Sequence, residues 1–374
     1  MQAVHRALPG VLALLVYAGM ACGSGAGEVP GAGNPLLTSL PTGYRLEVLL
    51  DGLALPTSIA ATPDGRLLIT EQETGRVRVV RDDRLLDETW FELPVYAADV
   101  ENIVQELGLV SMAVDPRFGE NQFVYIYYTE ERSGGGRRTV LARLRDADGR
   151  GTDLVELVSI ELAPERRHIG GGIAFVDDTI FLGVGDHERP RLAHELGSLA
   201  GKVLRIDRDG RAPPDNPFVD RAGADPRVYA YGLRNQISVA ADRVTGRAFV
   251  TENREIAGDA LYELEEGADY GWPEHEVTLR RPLVVYNRPA GAAGMIVYRG
   301  NALPEFAGDV FFCTFHSGGA LHWVEQEVES GTRRVDRVIA PACTSDVAEG
   351  ADGFLYFLDF VTGKLMRISR EPPE

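Results

Sequence analysis

The 374-residue chain is poor in soft ligands, with three cysteines, five methionines and seven histidines. No second Cys or His stands at zinc-ligand spacing, so a structural zinc site is not expected. Positive charge is also scarce, 38 Lys and Arg against 56 Asp and Glu, a formal net charge of −18. A surface of that sign repels phosphate backbones and anionic headgroups, which argues against nucleic acid as a partner. No segment keeps a long 3.6-residue apolar period, so long amphipathic helices are not expected. The sequence also lacks a Gly-Lys-Ser/Thr phosphate loop, a Gly-rich dinucleotide turn, a Gly-x-Ser-x-Gly elbow and a His-Glu-x-x-His pair, which leaves nucleotide and zinc chemistry without support.

The apolar run Val11-Leu-Ala-Leu-Leu-Val-Tyr-Ala18 is too short for the roughly 20 residues that span a bilayer. Preceded by His5 and Arg6, it has the length of a signal-peptide core. It ends at Gly19-Met-Ala-Cys22, followed by Gly23-Ser-Gly-Ala-Gly27, and this resembles a bacterial lipoprotein cleavage site with Cys22 as the lipidated residue. An ordinary cleaved secretory signal is the alternative. The expectation is a leader over 1–22 and an exported protein, periplasmic or held at the cell surface, with Cys22 as its one membrane attachment. Residues 23–39 are Gly-rich and read as a flexible linker. Cys313 and Cys343 are then either a disulfide in an oxidising compartment or two buried thiols; pairing over 30 residues would contribute roughly 3 to 4 kcal/mol.

Glycine and proline are plentiful, 42 and 21 residues, and fall between short apolar runs rather than in one tract. A unit recurs: an Asp-bearing turn, a β-branched or aromatic run, another turn and a second apolar run. The clearest copies are Thr62-Pro-Asp-Gly-Arg-Leu-Leu-Ile-Thr70 with Arg76-Val-Arg-Val-Val80, and Ala351-Asp-Gly-Phe-Leu-Tyr-Phe-Leu-Asp359 with Lys364-Leu-Met-Arg-Ile368. The turns near Asp64, Asp115, Asp177, Asp242, Asp309 and Asp352 recur every roughly 40 to 70 residues, which suits four short strands per unit. An all-β, six-bladed β-propeller over residues 40–370 is the expectation. A pair of sandwich domains is the alternative, because strand runs alone do not fix closure.

In a propeller, the residues to weigh are polar ones in loops that converge on the central channel. His168-Ile-Gly-Gly-Gly172 sets a histidine in a loop whose glycines admit a close ligand. Gly185-Asp186 ends the next apolar run and offers a carboxylate to orient that ring. In Tyr231-Gly-Leu-Arg-Asn-Gln236, Arg234 and Asn235 can grip a carboxylate or quinone oxygen. Taken singly, these residues also read as a solvated histidine, a turn aspartate and a packed loop. Glu106-Leu-Gly-Leu-Val110 and Gly267-Ala-Asp-Tyr-Gly-Trp-Pro273 read as mainly architectural, with Trp272 and Pro273 packing blade against blade.

The joint order of these segments, with Asp115-Pro-Arg-Phe118, Gly201-Lys-Val-Leu-Arg-Ile206 and Asp215-Asn-Pro-Phe218, resembles the soluble glucose/sorbosone dehydrogenases, the quinoprotein sugar dehydrogenases, from about Leu40 to Ile368. The resemblance implies a six-bladed propeller oxidising an aldose at its anomeric carbon, with pyrroloquinoline quinone (PQQ) and Ca²⁺ as cofactors and an external electron acceptor. It makes His168 the base and Asp186 its support, and puts Arg234, Asn235 and Glu106 on the cofactor. The metal ligands stay unassigned. Where the family has Gly-Pro carbonyls for calcium, this chain reads Glu252-Asn-Arg-Glu255, with Glu255 offering a carboxylate. Ala260 stands where a Glu for a structural calcium is common, and Cys343-Thr-Ser345 stands where Arg residues pair with PQQ carboxylates, a role Arg281 or Arg288 would have to take. A propeller that has lost PQQ and binds a carbohydrate or protein ligand without turnover is the alternative function.

Overall fold

The structure, a computed structural model, describes residues 40–97, 106–162, 167–255, 258–273, 280–326 and 336–371. The expected leader, Cys22 and the 23–39 linker lie outside these residues. Twenty-four strands of the described residues form six four-stranded antiparallel sheets. The first strand, β1 (Tyr44–Leu50), belongs to the last sheet. Blade 1 is β2 (Pro56–Ala61), β3 (Leu67–Glu71), β4 (Arg76–Arg81) and β5 (Arg84–Glu92). Blade 2 is β6 (Leu109–Val114), β7 (Phe123–Glu131), β8 (Arg137–Ala147) and β9 (Arg150–Leu162). Blade 3 is β10 (Gly170–Val176), β11 (Thr179–Val184), β12 (Lys202–Ile206) and β13 (Val228–Tyr231). Blade 4 is β14 (Val239–Ala241), β15 (Ala248–Glu252), β16 (Ala260–Glu263) and β17 (Val284–Val285). Blade 5 is β18 (Ala292–Val297), β19 (Val310–Thr314), β20 (Ala320–Val324) and β21 (Asp336–Pro341). Blade 6 is β22 (Val347–Glu349), β23 (Leu355–Asp359) and β24 (Lys364–Arg370), completed by β1 on β24 in register Tyr44 to Arg370.

Closure follows from the packing. Six apolar clusters lie between neighbouring blades, and one of them joins Ile59, Leu67 and Ile69 of blade 1 to Tyr356, Leu358 and Leu365 of blade 6. Six interfaces for six blades make a closed ring, which excludes the sandwich pair. Second strands such as β3, β15, β19 and β23 are buried at every residue because both faces of each sheet are covered, so they read as continuous apolar runs. The innermost strands meet around the axis, where only small residues fit. A Cβ on Gly172 would lie 2.3 Å from the Val239 nitrogen, and one on Gly294 would meet the Asp346 carboxylate.

All six Asp-bearing turns fall between the first and second strands of their blades. They therefore share one end of the ring. Some act as clamps between blades: Asp115 Oδ2 lies 2.8 Å from Arg208 Nε, and Asp242 Oδ2 lies 2.6 Å from Arg299 Nη2. The opposite end is built from the segments that enter each first strand and from the turns between second and third strands.

Candidate active site

At that opposite end a pocket of about 470 Å³ opens on the axis. Strand-entry segments supply Glu106, His168, Arg234, Asn235 and Ser345, and the turns after second strands supply Gln72, Arg254, Phe315 and Phe360. Sequence neighbours are thus less important here than position around the ring. All five residues expected at the site from the sequence converge, although 129 positions separate Glu106 from Asn235.

His168 Nδ1 lies 2.9 Å from Asp186 Oδ1. A carboxylate only accepts, so Nδ1 carries the proton and Nε2 keeps its lone pair on the pocket side. The Glu188 amide also donates to Asp186 Oδ1 at 2.9 Å, and the Trp272 indole donates to Oδ2 at 2.9 Å. Trp272, read from sequence as blade packing, instead positions the carboxylate behind the histidine. The His168 backbone is left-handed at φ +54°, a strained state for a non-glycine residue. It is held there because its N–H donates to Glu106 Oε2 at 2.7 Å and its carbonyl accepts from the His187 amide at 3.1 Å. Gly185 makes this possible, since a Cβ there would stand 1.9 Å from the His168 oxygen. Beside it, burial lowers the His187 imidazole to about 4, so that ring is neutral.

Asn235 ties the second wall together, donating to Glu106 Oε1 at 3.1 Å and accepting from the Gly170 amide at 3.1 Å. Behind it the buried Glu252 accepts the Arg234 amide at 3.0 Å and the Gln236 side chain at 3.2 Å. Burial pushes Glu252 up to about 7, against the pull of Arg254 and of these donors. Arg234 donates to the Asn253 carbonyl at 2.9 Å, and its guanidinium lies 5.5 Å from the Trp272 ring. The third wall is uncharged: Phe315 and Phe360 in edge contact at 6.1 Å, with Thr344 and Ser345. Cys343 is joined to Cys313 with Cα atoms 5.0 Å apart, so the two cysteines are bonded rather than separate thiols and tie this wall to β19.

A family model for glucose/sorbosone dehydrogenases matches residues 53–367. The chain belongs to this family. It is 24% identical to the aldose sugar dehydrogenase of Escherichia coli K12 over 89% of this chain and 95% of that protein. It is 24% identical to quinoprotein glucose dehydrogenase B of Acinetobacter calcoaceticus over 72% of this chain and 61% of that one. The crystal structure of a glucose dehydrogenase from Thermus thermophilus superposes with a TM-score of 0.75 at 30% identity, over 87% of this chain and all of that one.

The two cofactors implied by the glucose/sorbosone dehydrogenase resemblance fare differently against these residues. Donors for the quinone are present: Arg234 and Arg254 line the pocket, and Ser345 Oγ is buried with no partner in the protein. Calcium fits poorly. The Asn253 carbonyl is taken by Arg234, and Asp259 is saturated by the amides of Arg254 at 2.7 Å, Ala290 at 2.7 Å and Gly291 at 2.9 Å. Among the described residues no three His, Cys, Asp or Glu side chains converge as a metal site. Glu255 lines the pocket but is exposed at its rim, beside a guanidinium that repels a divalent ion. Arg281 and Arg288, the expected replacement cations, are exposed and do not line the pocket. Arg254 does, and no local motif marks it.

Proposed function

We propose that the protein is a sugar dehydrogenase that oxidises an aldose at its anomeric carbon with PQQ as the electron acceptor. The observation that carries this reading is His168, bound through Nδ1 to Asp186 and turned to a pocket that also holds Arg234 and Asn235. Arg234, Asn235, Arg254 and Ser345 would hold the quinone, which when bound supplies the acceptor for the hydride leaving the sugar carbon. His168 Nε2 takes the proton of the anomeric hydroxyl. Asp186 stabilises the imidazolium that results, while Trp272 and the Glu188 amide keep the carboxylate aimed at Nδ1. Arg234 sets positive charge where negative charge gathers on the acceptor side. The faces of Phe315 and Phe360 offer an apolar wall to the C–H face of a pyranose. The Cys313–Cys343 bond, of a kind that persists outside the cytoplasm, supports an exported location.

The uncharged Thr344–Ser345 wall favours a second reading, a propeller that binds a carbohydrate or protein ligand without turnover. Titration with PQQ, followed by dye reduction with a panel of aldoses, separates the two. Saturable binding with sugar-dependent reduction is expected; no binding at micromolar PQQ leaves the second reading.

A further inference from the structure

The pocket holds an unusual concentration of positive charge at one point. The guanidinium carbons of Arg234 and Arg254 lie 5.5 and 5.9 Å from the same indole ring, that of Trp272. Arg254 is 8% exposed, donates through Nη2 to the Tyr270 carbonyl at 3.0 Å and sits 3.7 Å through Nε from Glu252 Oε1. Glu252 is the carboxylate that pairs with it, and burial raises that group to about 7. Near neutrality the two guanidiniums therefore share a counter-charge that is only partly ionised. Glu106 does not redress this, because its oxygens accept from Asn235 and the His168 amide. Glu255 is exposed at the rim, and Asp259 is filled by three backbone amides. A buried, planar pair of guanidiniums with net positive charge is suited to a flat anion whose oxygens lie in one plane.

We propose that this site binds the planar oxyanion edge of its quinone ligand without a metal ion, the Arg254 guanidinium occupying the electrostatic role of a divalent cation. The inference rests on the PQQ reading above. Charge-assisted hydrogen bonds from a fixed guanidinium give the directional contact that an ion would otherwise supply. The arrangement also explains why the segment after β15 reads Glu-Asn-Arg-Glu: the second residue's carbonyl is used by Arg234, and the third residue's side chain returns to the axis.

The test is the quenching of tryptophan fluorescence by PQQ in full-length protein, titrated once in excess EDTA and once in excess Ca²⁺. Equal dissociation constants, within about 2-fold, are expected in the two titrations. Arg254→Met is expected to weaken binding in EDTA by about 10-fold or more, and Arg254→Lys by less. Quenching that requires Ca²⁺ would overturn the metal-free site while leaving the quinone reading standing. Absence of quenching in both titrations would remove the quinone reading and this inference with it. The comparison of EDTA with Ca²⁺ uses wild-type protein, so the outcome does not depend on how an Arg254 variant folds.

Discussion

At the scale of single residues the site depends on what stands behind His168. Asp186 is completely buried and accepts from His168, the Glu188 amide and the Trp272 indole, so each donor fixes one direction of the carboxylate. Trp272→Phe keeps a ring beside Arg234 but removes the indole N–H. A lost hydrogen bond to a charged group costs about 1.5 to 3 kcal/mol, so turnover is expected to fall about 10- to 100-fold with KM for the sugar little changed. Steady-state dye reduction measures this, and an unaltered kcat would make Trp272 a packing residue only. His168 and Asp186 were legible because glycines and a strand end flank them. Trp272 and Arg254 were not: an indole N–H meeting a carboxylate 86 positions away leaves no local pattern, and a buried arginine is chosen by its neighbours around the axis.

At the scale of elements, two segments are held by buried charges. The loop between β11 and β12 carries Asp186, and Lys202 at its far end donates to the carbonyls of Leu192 at 2.7 Å, Ala193 at 3.0 Å and Ala200 at 2.8 Å. Lys202→Met would strand these buried acceptors, at a cost of about 3 kcal/mol, read as a lowered denaturant midpoint. The Arg234–Gln236 segment hangs on Glu252. Burial holds Glu252 at about 7 and Asp346 at about 6, both above their values in an unfolded chain. The folded protein then binds these protons more tightly, so the stability they contribute is greatest in acid and is lost as pH rises from about 4 to about 7. In Glu252→Gln the decline in unfolding free energy between about pH 5 and about pH 8 should be smaller by roughly 2 kcal/mol. An identical decline in wild type and variant would mean that Glu252 does not titrate in this range.

At the scale of the whole molecule, ring closure decides both stability and site. β1 completes blade 6, and Asp346 reaches across the same seam to Ser58 Oγ at 2.7 Å and the Ile59 amide at 3.0 Å. The Cys313–Cys343 bond ties blade 5 to the segment entering blade 6. Replacing both cysteines by alanine is expected to lower unfolding free energy by about 3 to 4 kcal/mol, measured by denaturant titration under oxidising conditions. The propeller was legible because second and third strands are apolar on both faces and punctuated by Asp turns. Outer strands such as β5 and β9 were not, since they are partly solvated and charged. Inner strands such as β14 and β22 were missed because crowding at the axis leaves three-residue stretches of small side chains.

The central claim is that this pocket oxidises a sugar through His168. Aldose-dependent dye reduction by the PQQ-loaded protein, compared between wild type and His168→Ala with PQQ affinity measured alongside, tests it most directly. A fall of about 100- to 10,000-fold in turnover with cofactor affinity kept within a few-fold is expected. Turnover that survives the substitution would contradict the claim.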